Sequence, residues 1–269
     1  MKRIVCFLMA VLMLSVCGIT GYAAEEDTLT TDLIFQRLAE GDEASETAED
    51  QAANGALRLA EMVVALDNIG IETQDEADHL NRILDALAEV DVPEESIEHK
   101  IALGLMKTFE ALIIFQQQVD PKGVYEEELE QIYNSFLAND DKAEDATQQA
   151  VNGLYHSVFV ASVIARGFCR DKTMISQIEK EMEAFGEADK TETASDTDQL
   201  VLGSETLLRM LTAVGSVLDS EGKYAAELRE LSENVYAADD EEAGPMFRLA
   251  NWLYGCVAMT GMIAEEIEG

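Results

Sequence analysis

DPKGVYEEEL (Asp120–Leu129) returns 99 positions later as DSEGKYAAEL (Asp219–Leu228), with Asp, Gly, Tyr, Glu and Leu in matching places. Glycine takes the left-handed backbone that ends many helices, and the tyrosine after it can start the next helix and pack back on the pair. The decapeptide therefore reads as the corner of a helical hairpin, written twice. The same shift works elsewhere without a gap. IALGLMKTFEAL from Ile101 falls on LVLGSETLLRML from Leu200, matching Leu103 with Leu202, Gly104 with Gly203 and Leu112 with Leu211. VNGLYHSVFVASVIA from Val151 falls on ANWLYGCVAMTGMIA from Ala250, matching Asn152, Leu154, Tyr155, Val158, Ile164 and Ala165. A shift of 98 brings AEDQAANGALRLAEMVVAL into the frame, Asn54-Gly55 on Asn152-Gly153.

Half the period is also written. Gly55, Gly104, Gly153 and Gly203 follow at steps of 49 or 50, and Trp252 takes the fifth place. Each step holds a long apolar segment of about 22 residues and a shorter acidic one of about 14, both with helical periodicity. The long segments are expected near 48–70, 94–118, 143–167, 196–217 and 245–267, and the short ones near 28–40, 75–90, 123–138, 171–186 and 222–236. The short segments are amphipathic: Leu80, Ile83, Leu84 and Leu87 recur at spacings of three and four, as do Leu129, Ile132, Tyr133 and Phe136. The long segments are apolar all round, which predicts helices covered on every side. Gln148, Gln149, Asn152, His156 and Ser157 interrupt the stretch Thr147–Ala165, which barely reaches spanning length, so a membrane span is not expected there. Pro93, Pro121 and Pro245 all fall between segments.

These features predict an all-α chain of tandem helical-hairpin repeats of 49–50 residues nested in a 99-residue double repeat, with the short acidic helices outside and the apolar helices inside. It resembles α-helical hairpin solenoids as a class, although the Trp-Leu-Gly-Tyr signature of tetratricopeptide repeats is missing. An open solenoid is the expected form, with a closed α/α toroid as its rival, since a toroid also buries its inner helices all round.

The chain opens MKRIVCFLMAVLMLSVCGITGYAA, two cations followed by an apolar run and small residues, the form of a secretory signal over residues 1–23. One repeat domain, 24–269, is expected to follow. Leu14-Ser15-Val16-Cys17 is similar to a bacterial lipobox, so a lipid anchor at Cys17 and a cell-surface location form the alternative to secretion; Val16 stands where a small residue is usual. Without the signal, 16 Lys and Arg face 54 Asp and Glu, a net charge of −38, which repels nucleic acid and weakens contact with anionic surfaces. Two cysteines remain, Cys169 and Cys256. They are too few for a disulfide scaffold and are placed too far apart in an open array to bond each other.

The usual signatures of catalysis are missing. His79, His99 and His156 have no paired spacing for zinc, and there is no phosphate loop, nucleophile elbow or Cys-His pairing. Asp140-Asp141 with Asp145 sits at an expected helix start, where the dipole favours acids, and neither DPKGVYEEE nor NDDKAED matches a calcium loop. No metal and no cofactor are expected. Asn54, Asn152 and Asn251 place one amide in each odd-numbered apolar helix, for hydrogen bonding between helices or as a row along a groove. Asn152, Tyr155, Trp252 and Tyr254 combine apolar area with polar atoms at one aligned place and are the ligand-facing candidates. The sequence thus points to an exported, noncatalytic repeat protein that binds a protein or peptide. The alternative is an all-α hydrolase or lyase with an acidic site in the mouth of a toroid.

Overall fold

A threonine, serine or aspartate caps the start of most helices in the computed structural model, which describes residues 29–71, 73–189, 195–219 and 222–268. Thr47 and Thr73 form reciprocal capping boxes with Asp50 and Glu76, as Ser195 does with Asp198, while Ser96 and Asp145 each cap with one bond. Helices α1 (Thr31–Ala44), α3 (Gln74–Val90), α5 (Glu126–Asp140), α7 (Lys172–Asp189) and α9 (Ala225–Ala238) are the short ones. Helices α2 (Ala48–Asn68), α4 (Ile97–Val119), α6 (Ala146–Phe168), α8 (Asp196–Leu218) and α10 (Pro245–Glu268) are the long ones. Among the described residues there is no strand, so the chain is all-α. The expected signal at 1–23, with Cys17, lies outside the described residues, as does much of the link between α7 and α8.

Two corners lack a capping hydroxyl. Tyr125 and Tyr224 occupy the N-cap positions of α5 and α9 and make no side-chain cap. Here the repeated aspartate does the capping: Asp120 Oδ2 accepts the Tyr125 N–H at 2.8 Å, and Asp219 accepts the Lys223 and Tyr224 N–H groups at 2.7 and 2.9 Å. Gly123 and Gly222 have φ of 62° and 69°, the left-handed turn that lets the carboxylate reach forward.

Burial separates two layers. From Gln51 to Asp67 every residue of α2 is buried, whereas α3 buries only Leu80, Ile83, Leu87 and Val90. Around the inner layer α2 packs on α4, α4 on α6, α6 on α8, α8 on α10, and α10 on α2. The array is therefore closed, and the expectation of an open solenoid is corrected. The period of a repeat fixes which hairpins are neighbours. Closure needs in addition a rotation of about 72° per step, a packing angle that no residue spells out.

The spaced glycines are where the inner helices touch. A Cβ added at Gly104 would lie 2.7 Å from the Ala56 carbonyl carbon, and one at Gly153 would lie 2.8 Å from the Met106 nitrogen. At Gly203 it would meet Leu154 at 2.8 Å, and at Gly55 it would meet Leu253 and Tyr254 at 3.0 Å. Each glycine thus faces the residues one and two places beyond the matching position of the preceding inner helix. The closing joint of α2 on α10 keeps that register, with Trp252 as the matching position. Gly261 also lies against Met62, so residue numbers rise together across the seam and the two helices run parallel.

The odd-numbered amides tie the layers together. Asn54, Asn152 and Asn251 each donate Nδ2 to a carbonyl 16 residues earlier on the outer helix of the same hairpin, those of Leu38, Phe136 and Val235, at 2.8–3.0 Å. Interhelix bonding is their role here. Cys256 is buried in α10 and Cys169 caps the end of α6; both thiols are free, on helices that are not neighbours in the ring. Helix α8 alone among the described helices is long and apolar enough to cross a membrane, and 61% of its most apolar window is buried inside the protein.

A side chain at Gly104 or Gly153 has to separate two backbones. Gly153→Val is expected to cost about 2 kcal/mol or more by overpacking. Gly186→Ala, on α7 where an added Cβ meets nothing within 4 Å, should instead gain about 0.5–1 kcal/mol from helix propensity. Urea unfolding of both variants checks the contrast, and equal effects would contradict the joint.

Candidate functional site

Asn152, Tyr155, Trp252 and Tyr254 all lie in the ring wall with 7%, 5%, 1% and 5% of their surface exposed. Asn152 bonds Phe136, Tyr155 stacks on Phe185 with ring centroids 4.5 Å apart, and Trp252 meets the Tyr236 ring edge-on at 4.8 Å. Tyr254 lies at the seam, where its hydroxyl donates to Asp42 at 3.2 Å and accepts from Asn54 at 3.2 Å, while Gln51 donates to the same Asp42 oxygen at 2.7 Å. The fold does not bring the four to one surface: two face outer helices α5 and α7, one faces α9, and one holds α10 against α1 and α2. His156 is enclosed as well. Its Nδ1 faces the Asn152 carbonyl at 2.8 Å, within reach of the Phe109, Phe136 and Phe159 rings.

An accessible cleft lies elsewhere, between the outer helices α3 and α5 and over the second half of α4, with a volume of about 720 Å³. Ile113, Ile114 and Leu129 line it with apolar surface; the repeated corner Asp120–Gly123 forms one end; His79 comes from α3, and Glu126, Glu130 and Tyr133 come from α5. The corner is stiff. Burial works against charge on Asp120, but the N–H groups of Tyr125, Val124 and Lys122 and the Gln116 side chain outweigh it and hold the carboxyl below its ordinary range. Glu126 leans over Gly123, so that a Cβ there would lie 3.1 Å from Glu126 Oε2. Tyr133 is 44% exposed, and its ring lies nearly parallel to Phe109 at 6.3 Å. Val124, Tyr133 and Leu137, all from one hairpin, are half of the large apolar side chains exposed among the described residues. The sequence reading placed Leu129 and Tyr133 on an apolar stripe, but the lining spans 79–133 and no local motif joins it.

Two acids near the C-termini of inner helices have raised pKa values. Asp67, on the last turn of α2, is fully buried with neither carboxylate oxygen hydrogen-bonded; burial, then the charge of Glu76, raise its pKa well above the ordinary range. Burial and the charge of Asp219 also raise Glu266. Among the described residues no group of three or more His, Cys, Asp or Glu side chains is placed to hold a metal ion. Burial pushes the Cys256 thiol far above the usual range, which withholds the thiolate a nucleophile needs.

Asp67 should govern part of the pH dependence of folding. A carboxyl raised in the folded state contributes fully below the unfolded value of about 3.9 and loses that contribution as pH rises through its folded pKa. Asp67→Asn is therefore expected to raise the urea midpoint at pH 7 and to flatten the decline in stability above pH 4; an unchanged profile would contradict a raised pKa at this carboxyl. The chain matches no protein-family model, no curated protein and no solved structure, so its function is read from this cleft and its chemistry.

Proposed function

We propose that this chain is an exported, noncatalytic array of tandem helical-hairpin repeats that binds a protein or peptide segment in the cleft over α4. The export rests on the signal-like residues 1–23. The single observation that carries the binding reading is the open space between α3 and α5, compared with its counterpart one double repeat later. Between α7 and α9 the corresponding space is spanned: Arg209 of α8 donates to Tyr236 of α9 at 2.6 Å and to Glu181 of α7 at 2.9 Å. Position 110, which the 99-residue shift places on Arg209, is a glutamate that pairs with Lys107 of its own helix at 2.8 Å. Among the described residues no such bridge crosses the first space, and apolar side chains are left facing it.

A cleft of this kind, with an apolar floor, a half-exposed tyrosine and polar groups along the edge, suits a segment anchored by one or two apolar side chains. Tyr133 is the natural test, because it is exposed enough to be removed with little loss of packing. Tyr133→Ala is expected to weaken segments selected from a random displayed-peptide library about tenfold or more, while changing stability by less than about 1 kcal/mol. Selected peptides that compete with one another and lose affinity for the variant support the reading. A library that yields no binders, or binders indifferent to Tyr133, removes it.

A further inference from the structure

We infer that the occupant of this cleft is a basic amphipathic segment, whose apolar anchor lies against Ile113, Ile114 and Leu129 and whose lysines or arginines meet Glu126 and Glu130. The inference rests on the cleft-binding reading and adds the chemistry of the partner.

The internal repeat separates what the fold requires from what it leaves free. Asp120, Gly123, Tyr125 and Leu129 recur as Asp219, Gly222, Tyr224 and Leu228, and in both copies the aspartate caps, the glycine turns left-handed and the leucine is buried. Apart from Leu129, the cleft-lining residues of the same helix do not recur. Glu126, Glu130 and Tyr133 are replaced by Ala225, Arg229 and Ser232. A hairpin corner of this design therefore folds without them.

Glu126, Glu130, Tyr133 and Leu137 follow at spacings of four, three and four, which sets them along one ridge of α5 with the acids toward the corner and the exposed apolar groups beyond. The helix dipole favours Glu126 in the first turn, but it does not account for Glu130 a turn later. Like charges four apart on a helix cost a few tenths of a kcal/mol, and neither carboxylate forms an ion pair with a described residue. Among the described residues Lys122 is the one lysine or arginine lining the cleft, and the Asp120 charge is taken up by backbone N–H groups and the Gln116 side chain. Two uncompensated carboxylates beside apolar surface, in a chain of net charge −36, complement a cationic partner and repel an acidic one, including a second copy of this chain.

The test uses two synthetic peptides of about 15 residues, helical in design, with the same apolar positions and either lysine or glutamate at every polar one. Fluorescence anisotropy at two salt concentrations is expected to show binding of the lysine peptide only. The double change Glu126→Gln with Glu130→Gln should weaken it about tenfold and reduce its salt dependence. Tyr133→Ala should weaken it at both salt concentrations alike. Glu227→Gln with Glu230→Gln, an equal change of charge on the exposed face of α9, should leave it unaltered. If this remote pair weakens binding equally, the attraction is diffuse and the inference fails. Where the glutamate peptide binds equally and still depends on Tyr133, the cleft binds segments without preferring basic ones, and the inference fails. Indifference of both peptides to Tyr133 removes the binding reading together with the inference. Sedimentation showing a dimer broken by Tyr133→Ala would make the occupant a second copy and overturn the basic partner.

Discussion

The close contact of inner helices at Gly55, Gly104, Gly153 and Gly203 is the constraint on which the rest of the structure depends. Where a Cβ would lie under 3 Å from a neighbouring backbone, only glycine lets the helices approach that closely. Once they do, each inner helix has a neighbour on either side and an outer helix behind it. Such a helix keeps little solvent surface, most completely in α2, where every residue from Gln51 to Asp67 is buried, and this is why the inner helices are so apolar. The outer helices cover one flank only, and they carry the acids that make the protein so strongly anionic.

Closure adds a demand that a stack of like units does not meet by itself, since the last inner helix has to recognise the first. The glycine joint is generic, because it has the same register at Gly55 as at the internal joints. Specificity comes from the polar cluster at that place. Asp42 and Gln51 with Asn54 and Tyr254 are all nearly buried and bonded to one another across the seam. Tyr155, which the 99-residue shift places on Tyr254, packs on Phe185. A satisfied buried network rewards one register and penalises others, since any slip leaves its groups unpaired in a poorly solvated place. That fits a device for closing the ring on the intended partner helix.

Much of this was legible in the sequence because it is local or periodic. The ten α-helices among the described residues follow from apolar spacing and from the punctuation of glycine and proline, and their observed ends lie within a few residues of the expected ones. The three amides each donate to a carbonyl of an outer helix, as one of their two expected roles required. Closure was not legible, since the rotation between hairpins is set by side-chain shape at the joints and not by the period. At the corner the sequence marked Asp120 and Asp219 as repeated but did not reveal that they cap the following helix in place of a serine or threonine. The cleft escaped notice for a related reason. His79, Ile113, Glu126 and Tyr133 are unremarkable singly, and only the fold assembles them. Trp252 and Tyr155 drew attention through residue type, yet a large aromatic with a polar atom is equally suited to a ring wall.

A duplicated unit also offers a comparison of its own. Positions that agree between copies include those the architecture needs, such as the capping aspartate, the left-handed glycine and the buried leucine. Positions that differ at equivalent places are ones the architecture can spare, and their differences are informative when they change what a surface can do. Across α8 the change to Arg209 joins two outer helices through Tyr236 and Glu181. Across α4 the glutamate at the same place turns to Lys107 instead, and the neighbouring outer helix presents two acids and an exposed tyrosine. In one copy the gap between outer helices is bridged by Arg209, and in the other it is left open and lined by acids. An open apolar gap exposes surface that folding alone would favour covering, and its presence beside a bridged counterpart is what supports the proposed binding role.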